Sequence, residues 1–252
     1  MIKLTRPPEP KILCDNSAVW TRDIMNLVAK YGSYKEIPSS EKEAALKFYR
    51  HDDIRNALKE SSFRKCAFCE GKPEETGFAE VEHFYPKSIY TEKAFEWANL
   101  LYCCKACNNK KLDHDTHLLP IINPYELDPR ECFTYTDIMI EAKPGANQDI
   151  AERTIKVCGL AEKRLFSPRS AILASFRIFE ADIHDALAEF QQARTLPNKK
   201  KRASMISNAL STIEELVLPN AKFSNYCTYL LSSSDVYQQA KKTLEEFTHQ
   251  NL

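Results

Sequence analysis

The chain has 252 residues, 43% of them apolar, and its 35 basic residues are balanced by 35 acidic ones. This apolar fraction excludes a disordered chain, and no apolar stretch approaches the roughly 18 residues that a membrane-spanning helix needs. A net charge of zero gives none of the overall basic excess that phosphate binding favours. Any nucleic-acid contact would therefore use a local basic surface or one supplied by a partner.

The nine cysteines do not suggest a disulfide framework, because their number is odd and five of them lie in the stretch from Cys66 to Cys107. The N-terminal residues contain no apolar segment typical of a signal peptide. We therefore expect a cytoplasmic protein with reduced thiols.

The N-terminal part of the chain is predicted to form an arm followed by two helices. Prolines exclude a helix from residues 1–16. A first helix is expected from Ser17 to Gly32. The capping box Ser40-Glu-Lys-Glu43 predicts a second helix, which should run to Ser61.

The middle of the chain is predicted to form two short strands and a helix. Aromatic and β-branched residues favour a strand from Phe78 to Phe84 and another from Leu100 to Cys103. A loop over residues 85–98 joins them, and the polar run from Lys105 to Asp113 is expected to be helical. The predicted order is strand, loop, strand, helix.

The C-terminal part is predicted to be helical after one hairpin over residues 132–140. Apolar residues at helical spacing continue to the end of the chain. Five helices are expected, starting at Asp149, at the N-cap Ser167-Pro168, before Ala203, near Pro219 and at Ser234.

The predicted fold is α+β and mainly α, with a small ββα module inserted among helices. Four parts are expected along the chain: the N-terminal arm and helices (1–61), the ββα module (62–117), a proline-rich connector (118–147) and a C-terminal helical bundle (148–252) that would dock a partner.

Two Cys-x-x-Cys pairs predict a structural zinc site. Cys66 with Cys69, and Cys104 with Cys107, have the spacing with which tight turns place two thiolates on a tetrahedral ion. Cys103 could replace Cys104, although only Cys104 makes a Cys-x-x-Cys pair with Cys107.

Between these pairs lies a group of residues with the chemistry of a hydrolase. The carboxylate of Glu82 suits Mg²⁺ or Mn²⁺, and the imidazole of His83 can take a proton from water. The amide oxygen of Asn108 can complete an ion site with Glu82, while Asn99 can brace the loop that aims His83.

This set of residues resembles the motif of the HNH (ββα-metal) nucleases. The resemblance implies that His83 is the general base, that Glu82 and Asn108 hold one divalent ion, Mg²⁺ or Mn²⁺, and that Asn99 is structural. The chain departs from the fullest family pattern by having Glu82 where Asp is common and Asn108 in place of a final histidine. Both departures keep an oxygen ligand.

The resemblance extends beyond the motif over the first ~120 residues, in particular to the HNH effectors of Septu-type and retron-linked antiphage systems. The segments that carry it are Met-Ile-Lys-Leu-Thr-Arg-Pro, Cys-Ala-Phe-Cys-Glu-Gly, Val-Glu-His-Phe-Tyr-Pro-Lys-Ser and Trp-Ala-Asn-Leu-Leu. It implies a toxic effector of bacterial defence with a PtuA-type ATPase as partner and, in the retron-linked systems, a reverse transcriptase with its msDNA.

Two alternatives remain open at this point. The substrate, expected to be DNA, could instead be RNA such as a tRNA, because one-metal hydrolysis does not use the 2′-hydroxyl. The module could also be a zinc-stabilised binding module for nucleic acid or protein without catalysis. The lysines that could contact phosphates, or could be ordinary solvated residues, are Lys87, Lys105, Lys110 and Lys111.

Overall fold

The structure is a computed structural model that describes residues 1–250, and the prediction of a mainly helical chain is confirmed. The chain folds into two compact units. The first contains Met1–Thr134 and Ile140–Ala161, and the second contains Tyr135–Met139 and the chain from Glu162 onward. Among residues 1–250, no helix combines the length and the apolar character needed to cross a membrane.

Ten helices and four strands are described in residues 1–250. The helices are α1 (Lys11–Tyr31), α2 (Ser39–Leu46), α3 (Asp52–Ser61), α4 (Pro73–Thr76), α5 (Lys105–Lys111), α6 (Gln148–Val157), α7 (Phe166–Gln192), α8 (Leu196–Glu214), α9 (Ser224–Ser232) and α10 (Asp235–Gln250). The strands are β1 (Ala79–His83), β2 (Leu100–Cys104), β3 (Phe133–Thr136) and β4 (Met139–Ala142).

The first helix starts earlier than the sequence predicts. It begins at Lys11 rather than at Ser17, because Pro10 lies just before the helix, where a missing N–H costs nothing. Its predicted end is confirmed: Gly32 has φ +86°, a left-handed conformation that glycine adopts without strain, and its N–H donates to Val28 O.

The predicted second helix is divided into two. The chain leaves α2 through a 3₁₀ turn at Lys47–Arg50, is extended at His51, and re-enters a helix whose first turn is capped by the His51 imidazole. The capping box is wrong, since the residue before α2 is Pro38 and no side chain caps this helix. The predicted end at Ser61 is confirmed.

The starts of the later helices also differ from the predictions. Ser167 lies inside α7 rather than at its cap, since a 3₁₀ turn at Lys163–Leu165 leads directly into the helix. The helix α9 starts at Ser224 rather than near Pro219. Local cap signals therefore predicted that these helices exist, while packing determines where each one begins.

The central strands and helix form in the predicted order. The strands β1 and β2 are antiparallel, with Glu82 opposite Leu101 and Glu80 opposite Cys103. Because side chains alternate along a strand, Glu80 and Glu82 lie on the same face of β1. The helix α5 follows β2 without a loop.

An aromatic cluster anchors the loop between the two strands to the N-terminal helices. Trp20 on α1 is stacked on Phe48, with ring centroids 4.9 Å apart, and packs against Phe95 at 5.3 Å. Phe95 is buried in the same apolar core as β1 and β2. The loop that follows His83 is therefore fixed by packing.

The N-terminal arm closes over the other end of this loop. The Arg6 guanidinium donates hydrogen bonds to the carbonyl oxygens of Trp97 (2.7 Å) and Leu100 (3.0 Å) and lies 3.8 Å from the centre of the Tyr125 ring. In return, the indole N–H of Trp97 donates to Pro7 O at 2.9 Å. The extended arm thus contributes to holding the start of β2.

The second unit is a helical bundle built on the apolar stripe of α7. Phe176, Ile183 and Leu187 are buried along one side of this helix. Ile206 and Leu210 are buried on α8. This buried side of α7 therefore forms part of the core of the second unit.

Candidate functional site

The four predicted zinc ligands lie together. The sulfur atoms of Cys66, Cys69, Cys104 and Cys107 are all within 4.8 Å of one another, and all but the half-buried Cys104 are buried. Among residues 1–250, these four side chains form the group of potential metal ligands that lie close enough together to hold one ion. Cys103 is fully buried and its sulfur is 3.8 Å from that of Cys66, yet it lies outside the group of four.

Backbone turns place these thiols. At the first pair, the N–H of Glu70 donates to Cys66 O, and Glu70 adopts a left-handed conformation with φ +63°. A fully buried ion pair between Glu70 and Lys65, 2.9 Å long, fixes this turn. At the second pair, Cys104 ends β2 and its sulfur accepts the N–H of Cys107 in the first turn of α5.

The electrostatics of the four thiols fit a bound cation. Burial raises the pKa of Cys66, whereas hydrogen bonds from neighbouring thiols, that of Cys103 first, hold the pKa of Cys104 below its usual range. Without a cation, only part of such a cluster can ionise, because like charges in close contact repel each other. Four sulfur donors in a buried setting are the ligand set of structural zinc, and they do not suit Mg²⁺.

His83 has one ring nitrogen bound and the other without a partner. Its Nε2 is 2.9 Å from the carbonyl oxygen of Ala94, and that oxygen can only accept a hydrogen bond. Nε2 therefore carries the proton, and Nδ1 carries a lone pair. Nδ1 is buried and has no hydrogen-bond partner among the described residues.

The surroundings of His83 keep its ring neutral. Burial, followed by the positive charge of Lys87, lowers the pKa of His83 to about 3. The Tyr49 ring packs edge-on against the imidazole, with centroids 4.6 Å apart. The ring is thus held in one orientation and is neutral at pH 7.

Glu82 is buried and forms an ion pair with a lysine. Its Oε1 accepts a 2.7 Å hydrogen bond from Nζ of Lys111, which also donates to His83 O at 2.9 Å. Burial raises the pKa of Glu82, and the charge of Lys111 opposes that shift. A hydrogen bond from the His83 backbone also lowers the pKa of Glu82, and the remaining lone pairs of the carboxylate could bind an ion.

Asn108 lies on the same side of α5, one turn before Lys111. Its amide nitrogen donates to Glu80 at 2.6 Å, so its amide oxygen is the atom that could bind a cation. Glu80 and Glu82 share a face of β1, and Asn108 and Lys111 are three residues apart on α5. Two polar contacts, Asn108 with Glu80 and Lys111 with Glu82, therefore join the helix to the strand.

Glu82, His83 and Asn108 line one open cleft of ≈ 500 Å³, together with Lys87 and Tyr34. A carboxylate oxygen and an amide oxygen on its wall are hard donors that fit Mg²⁺ or Mn²⁺. The cleft therefore combines a neutral imidazole with donors for a divalent ion.

Asn99 lies away from the cleft and holds the loop between the strands. Its Oδ1 accepts the N–H of Tyr85 at 2.6 Å, and its amide nitrogen donates to the carbonyl oxygens of Tyr85 (3.1 Å) and Lys93 (2.9 Å). Lys93 directly precedes Ala94, the partner of the His83 ring. Asn99 thus fixes the segment that orients the imidazole.

The four lysines considered as phosphate contacts occupy different settings. Lys87 lines the cleft and is half-buried, whereas Lys105 and Lys110 are exposed on α5. Lys111 differs from the expectation, since its side chain is buried and its ammonium group binds Glu82 and the His83 carbonyl. The side chain of Lys111 lies on the inner face of α5 and pairs with the buried carboxylate of Glu82, so it does not face solvent.

Two partners in this site were missed in the sequence. The roles of Lys111 and Glu80 were not predicted, although strand alternation places Glu80 beside Glu82 and helix spacing places Lys111 beside Asn108. These two periodicities, applied together, could have paired the residues once β1 and α5 were known to be in contact.

Two curated proteins, both named Septu protein PtuB, are similar to this chain. The protein from Bacillus thuringiensis is 36% identical over 125 residues, which make up 49% of this chain and only 42% of that protein. The protein from Bacillus mycoides (strain KBAB4) is 25% identical over 98% of this chain and 94% of its own length. No protein-family model matches the chain.

Replacing one thiol of the group of four tests the zinc site. Cys66→Ser should abolish stoichiometric zinc, measured by elemental analysis, and should lower the melting temperature, because three thiolates remain around a site built for four. The matched control is Cys14→Ser, an exposed cysteine outside the group. Cys103→Ser should keep its zinc; loss of zinc in this variant but not in Cys104→Ser would contradict the assignment.

The buried ion pair gives a second prediction. Lys111→Met should lower the free energy of unfolding by about 3–5 kcal/mol, because it leaves the Glu82 carboxylate buried without a partner. The double variant Glu82→Gln/Lys111→Met should recover much of that loss. Urea denaturation measures both, and Lys105→Met on the exposed side of α5 is the control, expected to change stability by about 0.5 kcal/mol or less. Equal stability of Lys111→Met and Lys105→Met would contradict the pairing.

Proposed function

We propose that this chain is a metal-dependent nuclease of the HNH (ββα-metal) type, which hydrolyses phosphodiester bonds of DNA. One observation carries the proposal: His83, a neutral histidine whose buried Nδ1 has no hydrogen-bond partner among the described residues, lines the same cleft as the oxygen donors Glu82 and Asn108. A binding module has no physical need for a buried proton acceptor without a partner, since such a group lowers stability.

His83 would act as the general base in this reaction. Nδ1 takes a proton from a water molecule while the water oxygen forms a bond to phosphorus. The phosphorus–oxygen bond to the leaving strand breaks, and the leaving oxygen takes up a proton from solvent. The hydrogen bond from Nε2 to Ala94 O keeps the lone pair on Nδ1 and stabilises the imidazolium that forms.

Glu82 and Asn108 would hold the divalent ion. Bound there, the ion would stabilise the negative charge that develops on the phosphate and on the leaving oxygen. Lys111 has a supporting role, because its charge counteracts the effect of burial on Glu82 and favours the ionised carboxylate that a cation needs. Asn99 supports the site from behind by fixing the loop that carries Ala94.

The biological setting that we propose is antiphage defence together with a PtuA-type ATPase. Its support is the similarity to two proteins named Septu protein PtuB, one of which is similar over 94% of its length. The neutral net charge is compatible with a nuclease that obtains part of its substrate-binding surface from a partner.

Removal of the proposed base tests the catalytic assignment. His83→Ala should lower the rate of cleavage of single-stranded or plasmid DNA with Mg²⁺ or Mn²⁺ by at least roughly 100-fold, since general bases contribute about 10²–10⁴-fold. Zinc content and the cooperative unfolding transition should be retained. The control is His117→Ala, an exposed histidine that does not line the cleft. Undiminished cleavage by a folded His83→Ala chain would disprove the role of His83.

The partner proposal is tested by co-expression with a PtuA-type ATPase. A tagged chain should retain the ATPase through affinity purification and size-exclusion chromatography, and the complex should elute earlier than the chain alone. Co-elution should persist in His83→Ala, because this substitution removes chemistry without changing the surface. A chain that elutes alone and cleaves at its full rate without the ATPase would contradict the partnership.

A further inference from the structure

The cleft continues into a groove that the proposed function does not account for. The cleft shares Lys87 and Asn108 with a neighbouring depression of ≈ 210 Å³. This second depression shares Arg55 and Ala79 with a third one of ≈ 340 Å³. The three depressions are therefore neighbours, and residues of β1 line each of them. We call this series of depressions, with its basic residues Arg50, Arg55, Lys59 and Lys87, the basic groove.

The basic residues of the groove form a row. Arg55 and Lys59 are four residues apart on α3 and therefore lie one helical turn apart on the same face. Arg50 lies just before α3, and Lys87 lies between the cleft and the middle depression. The row leads from the proposed catalytic cleft to the far end of β1.

The ion pairs in this row differ in how readily a phosphate can replace the carboxylate. Arg55 binds Asp52 at 2.6 Å with both side chains exposed, whereas Lys59, whose side chain is only 16% exposed, binds Glu74 at 2.7 Å. Exposed ion pairs contribute only about 0–1 kcal/mol, so a phosphate can replace Asp52 at little cost, while at Lys59 it competes with a more shielded pair. Three further acidic residues line the groove. Glu80 is bound by the amide of Asn108, and at the cleft end Glu82 is bound by Lys111 and lies near Asp113 on the same wall.

The length of the groove matches a short stretch of one nucleic-acid strand. Four residue steps separate Ala79 from His83, or about 13 Å at roughly 3.3 Å per residue of a strand. The phosphates of one strand repeat at about 3.4 Å along a duplex axis, and at larger distances in an extended single strand. The groove therefore accommodates about two to four phosphates, which is close to the number of its basic residues.

The far end of the groove carries aromatic residues. Phe78 is 81% exposed and lines the third depression together with Tyr102. Tyr102 is almost fully buried, and its hydroxyl has no hydrogen-bond partner among the described residues. An exposed aromatic ring beside basic residues is the combination that proteins use to bind single strands, where bases stack and phosphates pair.

We propose that the basic groove binds a single-stranded nucleic acid next to the cleavage site. The strand runs from the cleft along α3 and β1, its phosphates contact Arg55 and Lys59, and a base stacks on Phe78. The position of the scissile bond in the cleft rests on the proposed nuclease function. The exposed ring favours a single strand, because the bases of a duplex are stacked on each other and are not available to Phe78.

The charge contacts are tested by the salt dependence of binding. Fluorescence anisotropy with a labelled 20-nucleotide DNA single strand, without added divalent ion, gives the slope of log K against log salt concentration. Arg55→Gln and Lys59→Gln should each reduce the magnitude of this slope by about 0.7, and the double variant by about 1.4. The controls are Lys11→Gln and Arg22→Gln on α1, outside the groove. Each removes a basic residue that, like Arg55 and Lys59, pairs with a carboxylate, and each should leave the slope unchanged.

The stacking contact is tested at Phe78. Phe78→Leu should weaken single-strand binding roughly tenfold with an unchanged salt slope, because it removes the π-face and no charge. Phe78→Tyr should bind as tightly as the wild type. A duplex of the same sequence should be bound with no dependence on Phe78.

The outcomes separate this inference from the nuclease proposal. Equal salt slopes for the groove variants and the α1 controls would overturn the groove, even if the chain cleaves DNA in a His83-dependent manner. The absence of binding by the wild type, or equal affinities for Phe78→Leu and the wild type, would also overturn it. Binding that needs Arg55, Lys59 and Phe78 without any cleavage would support the groove and reject the nuclease assignment.

Discussion

The group of four thiols is the constraint on which the site depends. It joins the turn at Cys66–Cys69 to the junction at Cys104–Cys107, where β2 ends and α5 begins. A helix of seven residues is too short to be stable alone, so its position has to be imposed by its connections. Once α5 is held against β1, Asn108 reaches Glu80 and Lys111 reaches Glu82. The sulfur atoms have no role in the proposed hydrolysis, yet they determine which polar side chains meet.

Burial then sets the protonation states on which the proposed chemistry relies. The same apolar surroundings raise the pKa of Glu82 and lower that of His83. Each of these two groups also has a hydrogen-bond partner that influences its protonation. Lys111 opposes protonation of the carboxylate, and the Ala94 carbonyl fixes the proton of the imidazole on Nε2. The result is a pair of neighbouring residues in which one can bind a cation and the other can accept a proton. The basic groove extends this arrangement, because it begins at Lys87 on the wall of the same cleft.

The sequence predicted those features that depend on short spacings. Paired Cys-x-x-Cys turns predicted the four thiols, and aromatic and β-branched content predicted β1 and β2 to within about one residue. Contacts between distant residues could not be read in this way. The pairing of Lys111 with Glu82 spans 29 residues and depends on how α5 packs on the sheet. The break at His51 was missed for a similar reason, since the capping signal at Ser40 is local whereas Tyr49 must leave the helix to pack on His83.

The central claim is that His83 activates water for attack on phosphorus. Cleavage of a DNA single strand, and of the RNA of the same sequence, in water enriched in oxygen-18 tests it directly, with the new ends analysed by mass spectrometry. The mechanism predicts acyclic phosphate ends that each carry one oxygen-18 atom, because the water oxygen forms the new bond to phosphorus. Ends without the label, or cyclic 2′,3′-phosphates on the RNA, would show that water is not the nucleophile and would contradict the mechanism.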